Sequence, residues 1–235
     1  MIDIHSHIIP GVDDGSPNLK ETEKLLKMSW NQGVTDLIAT PHFSRNLDPE
    51  RLADCFETVR NTAEKVTPGL HLFLGQEILY FEEMVDCLLQ GKALTLAESR
   101  YVLVEFLPGE PYSRILTAVR NLVTAGYLPV IAHIERYGCL REKGKTAELI
   151  RSGAYLQVNA DSVLGGIFNR NVRWCLREIT QGRVNFIASD MHNVSVRPSR
   201  MAEAMKKVQK SGPSVGEKLF VTNPGCILRD DILND

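Results

Sequence analysis

Short apolar runs alternate with longer amphipathic stretches along the whole chain. The runs predict strands at residues 2–5, 36–40, 70–75, 101–106, 128–132, 154–159 and 184–189. Several are almost continuously apolar, such as Tyr101-Val102-Leu103-Val104 and Phe186-Ile187-Ala188. Runs of that kind suit a parallel sheet covered on both faces. Helical signals lie between them. Ser16-Pro17 reads as an N-cap followed by proline in the first turn, opening a helix to about Gln32, and Asp48-Pro49 repeats the signal. The helix after Pro49 carries Leu52, Cys55, Phe56, Val59, Ala63 and Val66 on one face. Ile115, Leu116, Val119, Leu122 and Val123 form a second such face, with Gly126 placed to stop it. Further helices are predicted over 142–152, 169–181 and 199–210. Seven β-α repeats predict an α/β barrel one unit short of the eight-unit form, with a doubly wound open sheet as the alternative.

No repeat, low-complexity block or Pro/Gly/Ser-rich linker divides the sequence, so one domain spanning 1–235 is expected. With 43% hydrophobic and 24% charged residues, the chain can bury a sizeable core. A net charge of −2 provides no global field for nucleic acid or an anionic membrane. The opening residues lack a secretory pattern, and no apolar run is long enough to span a bilayer. Five scattered cysteines without a Cys-x-x-Cys pair argue against a disulfide framework and a thiolate zinc site. A reducing cytoplasm is the simplest location.

The chemistry-bearing residues fall at the ends of the predicted strands. The first ends in His5-Ser6-His7, the second in Thr40-Pro41-His42 and the third in Gly75-Gln76-Glu77. Glu105, His133 and Asp190-Met191-His192 follow the same pattern, and Asp13 and Asp14 lie in the loop after the first strand. His71 starts the third strand among leucines and reads as structural. In parallel α/β folds the C-terminal strand ends share one rim, where ligands gather. Each residue alone has an ordinary explanation as a cap, a loop ion pair or a core histidine. Together, so many imidazoles and carboxylates at one mouth are costly unless divalent cations neutralise them. Nitrogen and oxygen donors without thiolate suit Mn²⁺, Fe²⁺ or Zn²⁺, with room for more than one ion.

These residues resemble a known family. Met1-Ile2-Asp3-Ile4-His5-Ser6-His7, with Val12-Asp13-Asp14-Gly15, is similar to the PHP (polymerase and histidinol phosphatase) superfamily. Gly75-Gln76-Glu77-Ile78, Glu105-Phe106, Pro129 to Tyr137, Ala188 to Asn193 and Val221-Thr222-Asn223-Pro224 resemble its CpsB/CapC branch. Those proteins are manganese-dependent tyrosine phosphatases of bacterial capsule and exopolysaccharide operons. The resemblance implies a distorted (β/α)7 TIM-like barrel with resident Mn²⁺, three ions in all. It implies His5, His7, Glu77 and Asp190 around the first ion. Glu77 would bridge to a second ion completed by Glu105 and His133, and Asp14, His42 and His192 would hold the third. Arg136 and Arg197 match family arginines. The implied substrate is a phosphotyrosine-bearing protein, the C-terminal tail of a bacterial tyrosine kinase, with no nucleic-acid partner.

A cation-bound hydroxide is the expected nucleophile, because coordination lowers the pKa of water from about 15.7 toward about 7. Arg136 and Arg197 would contact phosphate, guanidinium being suited to bidentate binding. Their ordinary alternatives are a salt bridge with Glu135 and a solvated loop cation. His192 or a cation-bound water would assist the leaving group. Cysteine-based tyrosine phosphatases need Cys-x₅-Arg, and Cys55 with Arg60 falls one residue short. An amidohydrolase would carry a mid-barrel lysine in place of Glu77 and Glu105. A small-molecule phosphatase acting on a histidinol-phosphate-like ester is the nearer alternative. A non-catalytic metal-holding module is the remaining one.

Overall fold

The computed structural model describes residues 1–166 and 168–233. In chain order its first half runs β1 (Ile2–Asp3), α1 (Leu19–Asn31), β2 (Asp36–Ala39), α2 (Pro49–Val66), β3 (His71–Leu74), β4 (Glu77–Leu79), α3 (Met84–Leu89) and β5 (Tyr101–Glu105). The second half runs α4 (Tyr112–Thr124), β6 (Leu128–Ile131), α5 (Lys145–Arg151), β7 (Tyr155–Asn159), α6 (Arg170–Thr180), β8 (Phe186–Ala188), α7 (Met201–Val208), α8 (Pro213–Glu217) and α9 (Asn223–Arg229). A π-helical turn, Lys218–Thr222, links the last two helices.

All strand pairings are parallel. One sheet has the order β1-β2-β3 and the other β4-β5-β6-β7-β8. The sheets meet at their C-terminal ends through isolated bridges, Ser6 with Met191 and His42 with Glu77. Backbone hydrogen bonds reinforce both seams. Asp190 N–H donates to the His5 carbonyl at 2.9 Å, and Phe43 N–H to the Glu77 carbonyl at 2.8 Å. His5, His7, His42, Glu77, Asp190 and His192 therefore flank the seams between sheets, while Glu105 and His133 stand at the ends of strands inside the larger one.

Strand periodicity explains why. Tyr101, Leu103, Val130, Ala132, Phe186 and Ala188 share one apolar cluster with Ile4 and Ile38. Their alternates, including Val102, Val104, Ile131, Leu156, Val158 and Ile187, pack with the apolar faces of the helices. Side chains alternate along a strand, so continuing the first face by one step gives Glu105 on β5 and Gln157 and Asn159 on β7.

Three expectations change. The helix predicted from Ser16-Pro17 starts at Leu19 with Asn18 as its N-cap, whose side chain accepts from Glu21 N–H. Ser16 Oγ is engaged instead by the Asn18 carbonyl and by Thr22 Oγ1, each at 2.9 Å. The third predicted strand, 70–75, ends at Leu74, and after Gly75-Gln76 the chain forms a further strand that was not predicted, β4, beside β5. A Cβ on Gly75 would lie 3.0 Å from Leu96 Cα, tighter than ordinary contact, so any larger residue there would have to push that backbone back. His71 is 69% exposed rather than packed among leucines, and its Nδ1 lies 3.2 Å from Asp36 Oδ1. The Asp48-Pro49 start of α2 is as predicted, with Asp48 Oδ1 accepting from Glu50 N–H at 3.0 Å. No helix among the described residues is long and apolar enough to cross a membrane.

Candidate metal centre

The strand-end histidines and acids converge. His5 Nε2 and His7 Nε2 face each other at 3.2 Å, both side chains fully buried. Glu77 Oε2 lies 3.2 Å from the first, 3.3 Å from the second and 3.2 Å from His42 Nδ1. Its other oxygen, Oε1, is 2.8 Å from His133 Nε2. Glu105 reaches His42 Nδ1 at 3.2 Å and His133 Nε2 at 3.7 Å. Asp190 Oδ1 stands 3.5 Å from both His5 and His7 Nε2. Asp14 Oδ1 faces His192 Nε2 at 3.4 Å and His42 Nε2 at 3.5 Å.

Three overlapping groups have donor atoms close enough to share an ion: His5, His7 and Asp190; His42, Glu77 and Glu105; and His7, Asp14, His42 and His192. Glu77 stands between the first two. His42 belongs to two groups through different ring nitrogens, and His133 joins through Glu77 and Glu105. All the residues expected as ligands are thus within one cluster.

The opposite ring nitrogens are held by protein. Asp13 Oδ2 takes His7 Nδ1 at 2.7 Å and also accepts from His42 N–H at 3.0 Å. Tyr137 Oη lies 3.3 Å from His133 Nδ1, and His192 Nδ1 lies 3.0 Å from the Asp190 carbonyl. A carbonyl only accepts, so His192 carries its proton on Nδ1 and presents a lone pair at Nε2. That Nε2 is buried without a hydrogen-bond partner. An orphaned imidazole nitrogen beside a carboxylate, and two more aimed at each other, is the arrangement expected of a donor set made for cations.

Backbone geometry adds to this. His133 and Asp190 both adopt left-handed conformations, with φ of 32° and 53°. Such strain in non-glycine residues costs about 1–3 kcal/mol and persists where surrounding structure enforces it.

Protons bear the charge balance in the metal-free cluster. Burial disfavours a charged His5, yet Glu77 and Asp190 overrule it and raise its pKa to about 9. Burial likewise opposes charge on His7, and hydrogen bonds to Asp13 and Glu77 carry it to about 9. The same imidazoles hold Glu77 and Asp190 well below the usual carboxylate range despite burial. His192 moves the other way, to about 4, through burial and the positive charge on His7.

Two arginines stand at the edge. Arg136 Nη2 donates to Asp190 Oδ2 at 2.6 Å, and Arg197 Nη2 donates to both Asp190 oxygens at 2.9 Å. Arg136 therefore does not pair with Glu135, whose Oε1 accepts from Asn159 N–H at 3.0 Å. Arg197 is no free loop cation. Both arginines line a cleft of about 600 Å³ with Asn159, Ser162, Ser189 and Asp190. None of the five cysteines falls in a donor group.

Sequence reasoning passed over Gln157, Asn159 and Tyr137. Gln157 carried a readable signal, a polar side chain on the inward face of an otherwise apolar strand.

A family model described as "Capsular polysaccharide synthesis, CpsB/CapC" matches residues 1–229. Tyrosine-protein phosphatase CpsB of Streptococcus pneumoniae is 36% identical over 99% of this chain and 100% of its own. A chain from the crystal structures of YwqE from Bacillus subtilis and CpsB from Streptococcus pneumoniae, described as unique metal-dependent tyrosine phosphatases, superposes with a TM-score of 0.92. It is 28% identical and covers 100% of this chain and 96% of that one. A mutant organophosphorus hydrolase from Deinococcus radiodurans, 11% identical with a TM-score of 0.60 over 95% of this chain and 91% of its own, shares the fold alone.

Proposed function

The chain belongs to the CpsB/CapC family of capsular polysaccharide synthesis, and from that premise we propose that it is a metal-dependent protein-tyrosine phosphatase. The observation that carries the proposal is the convergence of imidazole and carboxylate donors beside an arginine pair. The relatives' names supply the substrate class, phosphotyrosine in protein. Residues 1–235 form one domain, and its strands a distorted seven-unit barrel once β3 and β4 count as one broken strand.

The ions such a centre would take are Mn²⁺, three in number, with Fe²⁺ or Zn²⁺ able to replace them. His5, His7, Glu77 and Asp190 would hold the first, Glu77, Glu105 and His133 the second, and Asp14, His42 and His192 the third. When bound, such cations supply Lewis acidity and lower the pKa of water to near neutrality.

The chain's own residues do the rest. Arg136 and Arg197 are the fixed positive groups nearest the donors, and their planar guanidinium groups suit phosphate oxygens. His192 suits ligation better than acid catalysis, because its proton sits on Nδ1 and its Nε2 carries the lone pair. A tyrosinate leaving group, with a parent pKa of about 10, needs little protonic help. The partner is a bacterial tyrosine kinase tail in the cytoplasm, and the process is control of capsule or exopolysaccharide synthesis. A 36% identity to a tyrosine phosphatase across the full chain places the histidinol-phosphate and amidohydrolase alternatives behind this reading.

Elemental analysis of the purified protein should find divalent metal, and chelation should abolish turnover of a phosphotyrosine peptide. Manganese should restore it. His133→Ala should lower kcat by at least about a thousandfold while a cooperative unfolding transition remains. Full activity of His133→Ala, or faster turnover of histidinol phosphate than of the peptide, would overturn the assignment.

A further inference from the structure

β7 is the strand that brings no donor to the cluster, yet it places two amides beneath it. Gln157 is fully buried and Asn159 nearly so. A buried primary amide is costly unless its groups are satisfied, and these are. Gln157 Oε1 lies 2.7 Å from His133 N and 3.4 Å from His5 Nδ1. Gln157 Nε2 donates to Asn159 Oδ1 at 2.8 Å, and Asn159 Nδ2 donates to Asp190 Oδ2 at 2.6 Å.

The direction of this chain is fixed from both ends. A backbone N–H can only donate, so the group facing His133 N is the Gln157 oxygen. A carboxylate can only accept, so the group facing Asp190 is the Asn159 nitrogen. The two constraints agree, which removes the usual ambiguity of amide orientation. The Gln157 oxygen then requires a donor at His5 Nδ1. In the neutral ring that cation binding requires, that leaves the lone pair of His5 on Nε2, the atom facing His7 and Glu77.

The chain also meets both strained ligand positions. It holds the backbone of His133 and the side chain of Asp190, the two candidate ligands with left-handed φ.

We infer that Gln157 and Asn159 are positioning residues that set the ring tautomer of His5 and the aim of His133 and Asp190 toward divalent cations. The inference rests on the metal-centre reading above but not on the substrate. Partners of this kind typically account for about 10–100-fold in metal affinity.

Calorimetric titration of the metal-free full chain with Mn²⁺ alone tests it. Gln157→Met keeps the volume and removes the acceptor, and should weaken the tightest Mn²⁺ site by about 10–100-fold. The EPR spectrum of bound Mn²⁺ should also change its zero-field splitting in Gln157→Met, a shift that lost packing around unmoved ligands would not produce. Unfolding of each metal-free variant controls for packing. If Gln157→Met does not fold, Asn159→Ala should show a loss of about tenfold. Mn²⁺ binding by the Met variant at native affinity, or with an unchanged EPR spectrum, would overturn the inference. If Gln157→Met does not fold, native affinity in Asn159→Ala would do the same. Native protein that binds Mn²⁺ but leaves phosphotyrosine intact would instead sink the phosphatase reading and leave this one standing.

Discussion

At the scale of single residues, the metal-free cluster is held by protons where cations would sit. His5 and His7 both titrate near 9, above the ordinary histidine value of 6.5. A histidine with a raised folded pKa contributes stability that is complete below its unfolded pKa and is lost as pH climbs through the folded one. The metal-free protein should therefore lose stability between about pH 6.5 and about pH 9. Saturating Mn²⁺ should flatten that slope, because the loaded protein keeps its imidazoles neutral, as the unfolded chain does above about pH 6.5. Denaturant midpoints measured across this range, with and without metal, check both slopes. A metal-free midpoint that rises with pH would contradict the ion pairing of His5 with Glu77.

At the scale of elements, local signals and tertiary demands are separable. The start of α2 is local: Asp48 caps it through a bond to Glu50 N–H, with Pro49 in the first turn. Asp48→Ala should cost about 1 kcal/mol of stability, read from chemical denaturation, and leave metal affinity unchanged. The start of α1 is local too, but two residues compete for it. Ser16 and Asn18 both have capping side chains, and Ser16 is drawn off by Thr22 while Asn18 takes the cap. The step from β3 to β4 is tertiary, because β3 pairs with β2 and β4 with β5, and Leu96 stands close against Gly75 between them.

At the scale of the molecule, the donor cluster lies where the two sheets meet, so bound cations would tie elements that backbone ladders join only through isolated bridges. Metal should then act as a global stabiliser. Free Mn²⁺ at a hundred times its dissociation constant adds about 2.7 kcal/mol per site. For a chain of this length that raises the thermal midpoint by about 5–10 °C. Midpoints that do not respond to Mn²⁺ concentration would place the donors outside any binding site.

The strand and helix alternation was legible because apolar runs and amphipathic faces are local periodicities, and every predicted strand exists, though ladders end a residue or two early. The candidate donors were legible because parallel strands deliver their ends to one rim, so position after a strand already implied proximity. The identity of the partners was not. Why Arg136 meets Asp190 rather than its neighbour Glu135, and how Gln157 reaches both His5 and His133, depend on approach across 24 to 152 residues. Sequence alone thus determined the main alternation of strands and helices and which candidate donors stand at strand ends, but not β4, α3, α8 or α9, because only longer periodic segments carry a local signal. Tertiary structure decided the hydrogen-bond polarity and backbone strain around the candidate ligands, because an acceptor is assigned only once its donor has been brought within about 3 Å.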